Sequence, residues 1–283
     1  MSSRQRVSSG ITSTDFLHLN PVQQKTSSNG PSLMATNRES VILLPGERTN
    51  FEGKGIKNAI LLALPEPEFQ ALRPFLSFVE LPHHTSLHEP GERLQTAYFL
   101  NSGLVSLVVV TREGKTVEVG VIGSEGMVGV PAIVGITRNP HRGVVQIAGN
   151  GFAVRMETLR SLLPSLQQLQ LIASRQSVIQ GMQAAQSAAC NRLHGIEQRL
   201  ARWLLIMQDR VEDGSLLITH DFLAAMLGTD RPSVSLAAGM LQRKGIIEYT
   251  RGAVHVENRK KLEESACECY AIMQQFNGTL GIK

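Results

Sequence analysis

The chain is poor in cysteine, poor in aromatic residues and close to neutral, and no long run of it is purely apolar. Three cysteines, Cys190, Cys267 and Cys269, occur in 283 residues. That is too few for a disulfide framework and points to a reducing compartment. Cys267-x-Cys269 has the form of half a metal site. Side chains two apart do not face each other along a helix, so the pair reads as two thiols on a helix and no metal is expected. No apolar stretch reaches membrane-spanning length, and the opening "MSSRQRVSSGITSTDFLHLN" has no apolar core of signal-peptide size. These absences lead to the expectation of a cytoplasmic protein with no membrane partner. Also missing are a Ser-His-Asp grouping, metal-ligand spacing and a phosphate loop, so no enzyme is expected. His83, His84 and His88 lie close in sequence but lack an accompanying Cys or Asp, and read as a loop of solvated imidazoles.

What is present divides the chain into segments. Residues 1–50 are rich in Ser, Asn, Thr and Gln and read as a disordered tail. Between Asn58 and Leu76 the apolar residues recur with helical spacing, and Pro65 and Pro67 break the segment into two short helices. From Val79 to Arg155 the period becomes two. In "TVEVGVI", Val117, Val119 and Val121 share one face and Thr116, Glu118 and Gly120 the other. "GVVQIAG" and "GFAVR" predict a hairpin around Gly149-Asn150-Gly151. Many short strands with Gly turns indicate an antiparallel barrel or sandwich.

A long helical run follows Pro164. Leu171, Val178, Met182, Ala185 and Ala189 alternate by threes and fours, with Arg175 in the gap, as in a coiled-coil seam; a helix lying on its own barrel is the alternative. Next, Ile196, Leu200, Trp203, Leu204 and Met207 form the apolar face of an amphipathic helix. Residues 192–261 hold eleven Lys or Arg against eight Asp or Glu, an excess that permits binding to nucleic acid without demonstrating it.

The stretch "ITHDFLAAMLGTDRPSVSLAAGMLQRKG" carries the most information. Thr219 can cap a helix that Gly228 ends, because glycine adopts the left-handed conformation cheaply. Asp230 can cap a second helix, in whose first turn Pro232 is tolerated. Val234, Ala237 and Leu241 form its inner face, and Arg231, Ser235 and Leu236 its outer face. Two helices joined by a tight turn have the geometry of a DNA-binding helix-turn-helix. The candidate base contacts are Arg231, whose fork suits guanine O6 and N7, with Ser235 and Leu236, the last suited to a thymine methyl. The candidate phosphate contacts are Thr219, Ser233, Arg243, Lys244 and Arg251. "GIIEYTRGAVHVENR" reads as a hairpin with Arg251 at its tip, a wing.

Residues 58–262 resemble the Crp/Fnr family of bacterial transcription regulators. The best-matched parts are "IEQRLARWLL" and "DFLAAMLGTDRPSVSLAAGMLQRKGIIEYTRGAVHV"; "NSGLVSLVV" and "GKTVEVGVIGSEGMVG" are similar to the family's sensor barrel. The resemblance implies an α+β fold. A tail (1–50) would precede an antiparallel β-roll or jelly-roll sensor (51–163) and a dimerisation helix with a hinge near Cys190 to Arg192 (164–191). A winged helix-turn-helix domain (192–265) and a C-terminal helix or tail (266–283) would follow. It also implies a homodimer on double-stranded DNA of two-fold symmetry, with RNA polymerase as partner and an effector in the roll. In members that bind cyclic nucleotides, a Gly-Glu turn holds the ribose and an Arg-Ser pair the cyclic phosphate. Gly123, Glu125 and Arg142 are the candidate effector pocket here, but Gly143 stands where Ser would be and the segment before Arg142 is long. A buried anion short of donors is poorly compensated, so no cofactor is expected. A cyclic-nucleotide module acting on a protein partner is the alternative; such a module needs neither helix-turn-helix nor wing.

Overall fold

A computed structural model of the chain describes residues 47–210, 215–250 and 252–277. The polypeptide is already anchored at Arg48, three residues earlier than the tail expected over 1–50. The Arg48 guanidinium donates to the carbonyls of Leu61 and Leu64 at 2.8 and 2.9 Å and pairs with Glu66. It thereby satisfies carbonyls at a helix end that have no partner within the helix. The rest of the expected tail, residues 1–46, lies outside the described residues.

Helices α1 (Ala59–Ala63) and α2 (Glu66–Leu72) are the two expected from the sequence. Asn58 caps α1 through its side chain. The strands are β1 (Ser77–Leu81), β2 (Ser86–His88), β3 (Thr96–Leu100), β4 (Leu104–Val110), β5 (Thr116–Ile122), β6 (Met127–Val128), β7 (Arg142–Ile147) and β8 (Gly149–Arg155), with a short helix α3 (Val130–Ile133) before β7. They form two antiparallel sheets, β1-β8-β3-β6 and β2-β7-β4-β5. One apolar core joins the first sheet to the helices, around Phe99, Phe152, Ile60, Leu159 and Ile172. A smaller core around Leu100, Val105, Val128 and Val145 fills the roll.

The hairpin expected at Gly149-Asn150-Gly151 does not form. β7 belongs to one sheet and β8 to the other, so the chain crosses over at Ala148. The glycines serve a close approach instead of a turn. A β-carbon on Gly149 would sit 2.2 Å from the Ser102 carbonyl oxygen, and one on Gly151 2.3 Å from that of Phe99. His88 also departs from expectation: it is buried in β2, while His83 and His84 stay exposed and stacked on each other.

After α4 (Met156–Leu162), helix α5 (Gln167–Leu193) runs 27 residues, about 40 Å. Buried Gln176 clamps it to the roll: its amide accepts from Met127 N–H at 3.1 Å and donates to the Met127 carbonyl at 2.9 Å. The break after α5 lies at His194-Gly195 rather than Cys190 to Arg192. Both residues are extended, and Gly195 N–H donates to Gln198 in the next helix. Beyond it come α6 (Ile196–Gln208), β9 (Ser215–Leu217), α7 (His220–Leu227), α8 (Arg231–Arg243), β10 (Ile247–Thr250), β11 (Ala253–Val256), α9 (Arg259–Ser265) and α10 (Cys269–Asn277). Strands β10, β11 and β9 form a small antiparallel sheet beside α7 and α8. The architecture is α+β: a β-roll, a long helix and a winged helix-turn-helix. No described helix is long and apolar enough to cross a membrane.

Candidate nucleic-acid interface

Each end of the helix-turn-helix forms for a local reason. Thr219 accepts from Phe222 N–H at 3.2 Å and starts α7. Gly228 ends it at φ 58°, and Arg199 donates to the Leu227 carbonyl there. Asp230 starts α8, accepting from Ser233 N–H at 2.8 Å and from the Ser233 hydroxyl at 2.9 Å. Those bonds hold the Asp230 carboxyl below its usual range. Val234, Ala237 and Leu241 are fully buried and fasten α8 from behind. Leu236, by contrast, is 68% exposed, and the Arg231 side chain is 65% exposed.

The predicted contact residues are not equally free. Among the described residues Arg231 makes a single, loose ion pair, 3.7 Å to Asp221 at the start of α7. The Ser235 hydroxyl is 2.9 Å from His220 Nδ1, so it is already engaged inside the domain. The Ser233 hydroxyl is committed to Asp230, and Lys244 to Glu197. Arg243 is exposed at the far end of α8. Arg251 lies outside the described residues; its neighbour Gly252 turns at φ 87°, between the wing strands. Two residues not singled out from sequence complete the corner: the His220 ring lies 4.1 Å from that of Tyr249, tying α7 to the wing. Burial, then the nearby Arg231 charge, lowers the pKa of His220 and favours its neutral form.

The domain also rests on the roll. Glu118 of β5 accepts from the Ser106 hydroxyl at 2.7 Å and from Trp203 Nε1 of α6 at 2.9 Å. Burial pushes its pKa up to about 7, against the pull of those two donors and of Arg210 and Arg202. The Gly228 turn packs on Val117, and Leu104, Val108 and Val121 of the roll share one core with α6, α7 and α8.

The candidate effector residues are not gathered at one pocket. Glu125 folds back, accepting from Gly123 N–H at 3.2 Å and pairing with Arg210 at 2.9 Å, just past the end of α6. Arg142 pairs with Glu89 at 2.8 Å. Neither residue lines the cavity of about 330 Å³ between roll and α5, whose polar groups include His88, Arg138, Asn139, His141 and Gln180. A β-carbon at Gly143 would sit 2.4 Å from the His88 ring, so a serine could not enter without moving it.

The "cyclic nucleotide-binding domain" family matches residues 78–164, and the "Crp-like helix-turn-helix domain" family matches residues 198–265; together they span more than half of the chain. The chain belongs to the Crp/Fnr family of transcriptional regulators. The transcriptional regulator SdrP of Thermus thermophilus is 29% identical over 185 residues, 62% of this chain and 86% of that protein. Two solved structures share the fold. FixK2 of Bradyrhizobium japonicum has a TM-score of 0.59 at 15% identity, covering 68% of this chain and 98% of its own. The c-di-GMP responsive global regulator CLP of Xanthomonas campestris has a TM-score of 0.57 at 17% identity, covering 67% and 97%.

Membership of a regulator family agrees with the expectation that the chain is not an enzyme. For this Crp/Fnr protein sequence reasoning missed the contacts that join roll and helix-turn-helix, having read Trp203 only as part of an apolar face and Glu125 only as an effector residue. Glu118 and Trp203 are 85 positions apart, as are Glu125 and Arg210. A glutamate in an otherwise Val-rich strand was the one available signal.

Proposed function

We propose that two copies of this chain pair along α5 and place their α8 helices in successive major grooves of a two-fold symmetric operator. Arg231 reads a base edge and Leu236 adds an apolar contact. The observation that carries this reading is the division of α8, with Arg231 and Leu236 open to solvent while Val234 and Leu241 are buried. The dimer reading rests on the outer stripe of α5: Leu171, Val178 and Met182 are exposed, with Ala185 and Ala189 continuing the row. That 3-4 spacing suits a second helix. Two-fold pairing sets the α8 helices about 34 Å apart, one DNA turn.

The effector acts from the cavity between roll and α5, and shifts the population of DNA-competent poses by its differential affinity. RNA polymerase is the downstream partner. Cyclic AMP and cyclic GMP are not the effectors in this reading, because Arg142 is occupied by Glu89 and Gly143 abuts His88. Capture of random duplex fragments by the purified protein tests the whole proposal. Recovery of an inverted repeat with half-site centres about 10 base pairs apart is expected. A direct repeat, or no enrichment at moderate salt, would contradict it.

A further inference from the structure

We propose that Cys190, His194, Cys267 and Cys269 form a tetrahedral site for one zinc ion at the junction of α5 and the DNA-binding domain. The donor atoms of all four residues lie within 4.8 Å of one another. Cys190 Sγ is 3.5 Å from Cys267 Sγ, and Cys269 Sγ is 3.6 Å from His194 Nδ1. Zinc bound tetrahedrally, with Zn–S near 2.3 Å and Zn–N near 2.0 Å, sets its ligands ~3.5–3.8 Å apart. Separations this small enclose a single ion and leave no room for a multi-iron cluster.

The local structure explains how four distant positions converge. Cys190 lies in the last turn of α5 and His194 caps its end, with His194 N–H donating to the Cys190 carbonyl at 3.0 Å. Cys267 lies in the loop after α9 and Cys269 is the first residue of α10, so the expectation of two thiols on one helix does not hold. Both sulfurs therefore reach the same point. The three cysteines are buried and form a cluster of their own, separate from the apolar cores.

The surroundings also suit a metal. Glu268 Oε1 lies 3.2 Å from His194 Nε2. A carboxylate on the far nitrogen fixes the tautomer that leaves Nδ1 free to ligate, the usual support of a metal-binding histidine. Gln186 donates to Cys269 Sγ at 3.0 Å, a hydrogen bond that a metal-bound sulfur can keep. Arg199 and Arg202 bring positive charge close to Cys190. Three thiolates, one neutral imidazole and Zn²⁺ carry a net charge of −1, which these cations offset. Soft thiolates with imidazole select zinc over the hard cations. The bound ion would lock α10 to the end of α5 beside the His194-Gly195 break. Any consequence for DNA binding rests on the function proposed above; metal binding itself does not.

The test is titration of the reduced full-length chain with zinc chloride and with cobalt chloride. One equivalent per chain is expected, with the strong visible bands of tetrahedral cobalt, thiolate charge-transfer absorption, and loss of both on adding zinc. The double variant Cys267→Ser with Cys269→Ser should lose the cobalt spectrum. Because that variant can fail to fold, Glu268→Gln provides the second arm. Its exposed side chain leaves the core intact, and zinc affinity should fall about 10- to 100-fold at unchanged stoichiometry. Three results would overturn the site: an octahedral cobalt spectrum, a spectrum that persists in the double variant, or a Cys190–Cys267 disulfide whose reduced form takes up no metal.

Discussion

Helices α7 and α8 lie side by side, and each starts on a side-chain cap, Thr219 in one and Asp230 in the other. α7 buries Leu223, Ala224, Met226 and Leu227, and its terminal Gly228 rests on Val117 of the roll. α8 buries Val234, Ala237, Ala238 and Leu241 but leaves Arg231, Leu236 and Arg243 in solvent. One helix holds the domain against the roll; the other keeps a face free. The exposed Leu236 and Arg231 are not needed to fold α8; in the proposed function they are the side chains that meet DNA.

The comparison breaks most visibly in the core of α8. Leu241→Ala should destabilise the protein by about 2–5 kcal/mol, whereas Leu236→Ala should change stability by no more than about 0.5 kcal/mol. Denaturant unfolding of both variants measures this, and equal costs would mean that α8 has no free face.

A smaller effect concerns the contact of roll and α6. Glu118 has a folded-state pKa raised from 4.5 to about 7 by burial. Its contribution to stability is therefore fully present below about pH 4.5 and lost as pH rises to about 7, by up to ~1.4 kcal/mol per pH unit. Glu118→Gln should flatten this part of the stability–pH curve while keeping a partner for Trp203 Nε1. An unchanged slope would place the titration elsewhere. The smallest effect concerns the pairing of α7 with the free face of α8. Asp221→Ala removes an exposed partner of Arg231 and should strengthen operator binding about two-fold, as suits a loose surface pair. Weaker binding would give Asp221 a role in DNA contact.

The local signals were legible in the sequence. Thr219, Gly228 and Asp230 declare their turns because caps depend on neighbours three or four residues away. The strand region and the long helix showed in their periodicity. What depended on distant parts of the chain did not show. Gly149 and Gly151 look like a hairpin turn, and only the passing backbones of Ser102 and Phe99 reveal a crossover. The start of the fold at Arg48 depends on carbonyls of α1 that the sequence does not display. Cys190 and Cys267 are 77 positions apart, so the thiol cluster could not be read from the spacing of Cys267 and Cys269. Glu125 and Arg142 were grouped by resemblance, and the structure gives each a different partner.

The central claim is that Arg231, on the open face of α8, reads DNA sequence. The measurement is the affinity of Arg231→Ala for its selected operator and for random duplex at one salt concentration. Loss of about 1–3 kcal/mol on the operator, roughly 5- to 150-fold, with little change on random DNA, is the predicted result. Equal losses on both duplexes would reduce Arg231 to a phosphate contact and contradict the claim.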